Sequence, residues 1–176
     1  MVNMKSAAPA KLESIRALLN TWRIPNETRQ PVDDLPDLVA DSDAWTVRIP
    51  DLRYPNDDAS RRALGVLRGK LRAGLGDDAA DSLDELVSAH RWQPSIDTKG
   101  FTVHWNTDPA STVGDGLAIV LDSVVAGTWT RLRACPDCQW VFYDTSRNGR
   151  RTWCSMTAAD GEIGRASCRE RVLDHV

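Results

Sequence analysis

Apolar residues recur along this chain mainly with the 3.6-residue period of helices, and only in short stretches with the alternation of strands. Leu12, Ile15, Leu18, Leu19 and Trp22 share one face of a helix predicted over 11–22, which Pro25 ends. Residues 25–40 are turn-rich, with Pro31, Asp33, Asp34 and Pro36, yet Leu35, Leu38 and Val39 predict a short second helix. The run from Trp45 to Ile49 alternates and reads as a brief strand bounded by proline. From Asp58 onward, Ala63, Val66, Leu67 and Leu71 are expected to face inward on a helix closed by Gly74 and Gly76. Asp77 and Asp78 then supply N-terminal negative charge to a helix carrying Leu83, Leu86, Val87 and His90. Gln93–Ile96 and Phe101–Trp105 flank Asp97–Gly100, which predicts a β-hairpin with glycine in its turn. Asp108 and Pro109 open a long apolar helix through Leu117, Val120, Leu121, Val124 and Val125, stopped by Gly127.

These elements describe an α+β chain with a mainly helical body over 1–129 and a small hairpin. Its 176 residues suffice for one substantial domain and a small appendage. A chain of that size buries roughly 70% of its unfolded surface, so most of it needs no metal to fold. A composition of 41% hydrophobic and 27% charged residues is ordinary for a soluble globular protein. No apolar run approaches a membrane span, and the first residues lack a basic-then-apolar leader, which together predict a cytoplasmic protein without membrane partners. The net charge of −3 argues against broad nucleic-acid binding by the whole surface. Basic residues nevertheless concentrate locally: Arg131, Arg133, Arg147, Arg150 and Arg151 face only Asp137 and Asp144 over residues 131–159.

Catalytic signals are missing from the pattern. No nucleophile elbow, phosphate loop, dinucleotide fingerprint or HExxH stretch occurs, and His90 and His104 have no cysteine or carboxylate at ligand spacing. An enzyme is not expected.

Cys135-Pro-Asp-Cys138 is the chemical feature of the chain. Two cysteines separated by two residues can present both sulfurs to one tetrahedral ion, and Cys154 lies at a common return distance for a third ligand. A redox dithiol would instead place the pair at a helix N-terminus, where the helix dipole lowers a thiol pKa. Here the pair follows Arg131–Ala134 and precedes the alternating Trp140–Tyr143, the context of a zinc knuckle in a hairpin turn. Trp140, Phe142 and Trp153 are expected to pack around the sulfurs. Arg147, Arg150 and Arg151 lie between Cys138 and Cys154, where they can reach phosphates, and Asn148 or Arg147 can reach base edges.

Leu132-Arg133, Cys135–Cys138, Trp140-x-Phe142-x-Asp144 through Asn148, and Arg150 through Met156 together resemble a CGNR-type zinc finger. The upstream body is similar to the partner region of that family, the ABATE domain, chiefly through Leu18–Thr21, the helix–hairpin order and the apolar helix leading into the finger. The resemblance implies a small treble-clef or ribbon-like finger over 130–158, with Cys135, Cys138 and Cys154 as structural zinc ligands. It also implies DNA-associated transcription regulation in a bacterium, with a body able to sense a small-molecule effector or to pair as a homodimer. The family pattern places a fourth cysteine five positions after Cys154, followed by Gly-Asn-Arg; this chain has Ala159 there. Glu162 to Val172 looks like the translation of a widely used sequencing-library adapter, so residues 159–176 are expected to be a non-native tail. In the alternative, the tail is genuine and Cys168 completes the site. Three functions stay open on the sequence: a DNA-binding regulator, a zinc-ribbon protein-interaction module, and a dithiol redox protein.

Overall fold

In a computed structural model, described over residues 7–25, 28–75, 80–100 and 102–154, the predicted elements assemble around three helices. The first, α1 (Leu12–Leu19), buries Leu12, Ile15, Leu18 and Leu19. It ends before Trp22, which pairs instead in a two-residue antiparallel ladder of β1 (Trp22–Arg23) with β2 (Val32–Asp33). The helix stops where polar side chains divert the backbone: the Thr21 hydroxyl donates to the Leu18 carbonyl at 2.7 Å, and Asn20 turns toward a distant strand. A short α2 (Leu35–Leu38) follows as expected.

Trp45–Ile49 is not a strand. Ser42–Arg48 forms α3, capped by the Asp41 carboxylate, which accepts from the N–H groups of Asp43 at 2.9 Å and Ala44 at 3.0 Å. Trp45 and Ile49 are buried while Val47 between them is 86% exposed. A spacing of four satisfies both periods, and only the exposed middle residue tells helix from strand.

The second long helix, α4 (Asp58–Ala73), is capped by Asp57 and turns Leu64, Leu67 and Leu71 inward. Ala63 and Val66, expected on that face, lie on the solvent side, with Val66 59% exposed. α5 (Ala80–Ser88) buries Leu83 and Leu86, while Gly76, Asp77 and Asp78 lie outside the described residues. The predicted hairpin is present as β3 (Trp92–Asp97) and β4 (Thr102–Thr107), in register from Trp92 opposite Thr107 to Asp97 opposite Thr102.

α6 (Thr112–Val125) starts three residues beyond Pro109, where Ser111 caps it by accepting from the Gly114 N–H at 3.0 Å. Gly114 permits the hairpin to rest against the helix, because a Cβ there would stand 1.9 Å from the Thr107 Oγ1. Leu117, Ile119 and Val120 join α1 and α4 in the core, whereas Val124 and Val125 at the far end are exposed. After a 3-10 turn at Trp129–Arg131 comes the last hairpin, β5 (Leu132–Ala134) antiparallel to β6 (Val141–Tyr143). Leu132 and Val141 are fully buried in the same apolar cluster as Ile15, Leu64 and Leu117. The cysteine hairpin therefore shares its core with the helices. Among the described residues no helix is long and apolar enough to cross a membrane.

Candidate metal centre

The turn between β5 and β6 is closed by its own backbone. The Cys135 N–H donates to the Trp140 carbonyl at 2.9 Å, and the Gln139 N–H donates to the Cys135 carbonyl at 2.9 Å. This winding forces Gln139 into the left-handed region at φ +57°, a conformation that favours glycine. It also points Cys135 and Cys138 the same way. Both are buried, and Cys154, half-buried, approaches from the loop that follows β6.

The three Sγ atoms lie within 4.8 Å of one another, and those of Cys138 and Cys154 are 3.5 Å apart. Thiolates about 2.3 Å from a tetrahedral zinc stand about 3.8 Å from each other. A disulfide would need about 2.05 Å. The donor set thus fits a sulfur-preferring ion such as zinc, and among the described residues it is the one group of metal-ligating side chains so gathered. Phe142, Trp140 and Trp153 pack against the sulfurs in a small cluster of their own, as the sequence predicts. The cysteine pair sits in a hairpin turn rather than at a helix N-terminus, the placement that separates a metal knuckle from a thioredoxin-like dithiol.

Cys154 is brought back by a loop built on Asp144, whose role sequence reasoning missed. Its carboxylate is fully buried and accepts from the N–H groups of Ser146 and Arg151, each at 2.8 Å. Burial is the largest single influence and pushes its pKa up. The Ser146 hydroxyl, the two N–H groups and the Arg133 charge together outweigh it and hold the carboxyl below the usual range. Arg131 braces the same loop, donating to the carbonyls of Asp144 at 3.0 Å and Ser146 at 2.9 Å.

The four residues predicted to meet nucleic acid all line one shallow cavity of about 400 Å³, together with Thr145 and Ser146. Arg147, Asn148 and Arg150 are exposed on it. Arg151 is committed inward: its Nε donates to the Trp153 carbonyl at 2.8 Å, its Nη2 to the Cys154 carbonyl, and its guanidinium lies 5.0 Å over the Phe142 ring.

The helices also grip the knuckle. Asn20 accepts from the Val141 N–H at 2.7 Å and donates to the Val141 carbonyl at 2.8 Å. Arg72 donates to the carbonyls of Leu19 and Gln139, both at 2.7 Å, and stacks 4.7 Å over the Trp22 ring. Burial, helped by the neighbouring Arg68, pulls its pKa down to about 10, so it stays charged at neutral pH. The available sequence signal for Asn20 was the Leu18–Thr21 stretch; Arg72 left none.

Residues 131–162 match the CGNR zinc finger. The match begins at the start of the cysteine hairpin and spans all three clustered thiols. It ends beyond the described residues, in the segment where Ala159 stands. No curated protein matches the chain.

Proposed function

We propose that this chain is a bacterial, cytoplasmic transcription regulator whose finger is held by structural zinc and contacts DNA. The reading rests on one observation: exposed Arg147, Asn148 and Arg150 project from the loop that delivers Cys154 to the thiol cluster. Zinc, when bound, would supply a fixed cross-link between the knuckle and that loop, held by Cys135, Cys138 and Cys154. The loop's arginines then meet phosphates, while Arg151 keeps Cys154 in place. With two outward arginines rather than three, log K for DNA falls against log salt with a slope of about −1.8.

A complete treble-clef finger needs a fourth thiolate, and this chain has Ala159 at the expected position. We assign the segment from 159 onward to a non-native tail, with Cys168 as substitute ligand in the alternative. The ABATE-like body is the part suited to a small-molecule effector or to pairing as a homodimer, and no catalysis is assigned to it. The deciding experiment restores the genomic C-terminus and measures zinc content and salt-dependent retention on duplex DNA. One zinc per chain with a slope near the stated value supports the reading. Stoichiometric zinc without retention favours a protein-interaction module instead, for which the exposed Ile96 and Val103 of the β3–β4 hairpin offer a surface. Absence of zinc would end both.

A further inference from the structure

The metal knuckle is held from the body at four of the five positions from 137 to 141. Asp137 pairs with Arg29 at 2.9 Å, the Cys138 carbonyl accepts from the Ile24 N–H at 2.9 Å, and Arg72 holds the Gln139 carbonyl at 2.7 Å. Asn20 then clamps Val141. The bond to Cys138 fixes the backbone of a candidate ligand itself. The bond to Gln139 fixes the left-handed residue that makes the two sulfurs converge.

We propose that Arg72 is a positioning residue of the metal centre, through which the helical body sets the zinc affinity of the three cysteines. The proposal deepens the metal-binding reading above and rests on it. Its physical basis is the two-carbonyl fork. One guanidinium arm caps the end of α1 at Leu19 and the other caps the knuckle at Gln139, with Trp22 fixing its plane. A planar fork spans two carbonyls at once, whereas an ammonium offers a compact point charge without that fixed geometry. Groups that orient ligands from behind, without touching the ion, typically govern metal affinity by about 10–100-fold. Coupling is reciprocal: if the body tightens zinc, zinc stabilises the body by the same factor, and anything that rearranges α1 against α4 changes metal retention. The finger is then a metal site whose affinity is adjustable from the helical body.

Arg53 provides the control: its side chain pairs with Asp115 of α6 at 2.6 Å, within the body. The test titrates zinc against a chromophoric chelator and follows thermal unfolding with and without zinc, in the full chain and in Arg72→Met and Arg53→Met. Arg72→Met is expected to weaken zinc about tenfold or more and to shrink the zinc-induced rise in Tm. Arg53→Met is expected to leave zinc affinity within about twofold and the zinc-induced rise in Tm unchanged. A folded Arg72→Met protein with wild-type zinc affinity overturns the proposal.

Should Arg72→Met fail to fold, hydrogen exchange on the unmutated chain decides. Chelating zinc is expected to speed exchange of the Ile24 and Val141 amides about tenfold or more, leaving that of Trp45 in α3 unchanged. Unaltered exchange at Ile24 and Val141 overturns the proposal. An unmutated chain with its genomic C-terminus restored that takes up no zinc defeats the underlying metal reading instead, a result visible before any variant is compared.

Discussion

Asn20 and Val141, 121 residues apart, form a closed two-bond pair in which one carboxamide satisfies both backbone polar groups of one strand residue. Such a pair substitutes for a third strand. β6 has β5 on one edge, and on the other Asn20 supplies one donor and one acceptor at strand-like distance, with Arg16 Nη1 a second, longer donor to the Val141 carbonyl at 3.3 Å. Both groups are buried, so neither has water as an alternative.

Replacing Asn20 by Ala should therefore cost about 1–3 kcal/mol, the penalty of leaving a buried group unmade. Asn20→Asp should be no better, because a carboxylate accepts from the Val141 N–H but repels the Val141 carbonyl. Urea unfolding of both variants checks this; a loss confined to Asn20→Ala would show that only the accepting half of the pair matters.

Asp144 carries a pH signature. Its pKa is lowered in the folded chain, so the unfolded chain binds the extra proton between the folded value and about 3.8, and stability rises with pH across that window. The contribution is fully present above about pH 4 and disappears as pH falls through the folded value. Asp144→Asn should cost about 1–3 kcal/mol at neutral pH by weakening the charge-assisted bonds from Ser146 and Arg151. The difference from wild type should narrow below pH 4. Equal losses at pH 7 and pH 3 would contradict the assignment.

Gln139 sits at φ +57°, where a side chain costs about 1 kcal/mol relative to glycine. Gln139→Gly should raise stability by up to about that amount, since the lost bond from its Nε2 to the Pro136 carbonyl is exposed. Gln139→Val should lower it, and its zinc affinity should fall as the sulfurs diverge. Thermal unfolding of the two variants gives the sign directly.

Gly114→Ala would drive a Cβ into Thr107, 1.9 Å from its Oγ1 and 2.9 Å from its Cβ. The β3–β4 hairpin must then lift from α6, at a cost of about 1–3 kcal/mol. Thr107→Ala in the same chain should recover part of the loss by removing the nearer atom. A double variant as unstable as Gly114→Ala alone would place the strain elsewhere.

Local chemistry explains which features could be read without a structure. The Cys135–Cys138 spacing, the alternating residues after it and the glycine of the β3–β4 turn act within a few residues of themselves, and the elements they specify form. Ambiguity entered where two periods share a spacing: Trp45 and Ile49 suit a strand or a helix, and the Asp41 cap decided for the helix. The inward face of α4 was misread for a related reason. Val66 is apolar but lies about 100° from Leu67 around the axis, and the buried stripe runs through Leu64, Leu67 and Leu71.

The sequence by itself determined the helical body, the two hairpin patterns and the three cysteines with ligand spacing, because each depends on side chains close together along the chain. Only the tertiary structure decided that the cysteine hairpin shares its core with the helices, that Arg151 turns inward while Arg147 and Arg150 face solvent, and that Asn20 and Arg72 hold the knuckle. The last of these depends on backbone carbonyls meeting donors more than 60 residues away. Every residue carries such a carbonyl, so nothing in the order of side chains marks which one will be met.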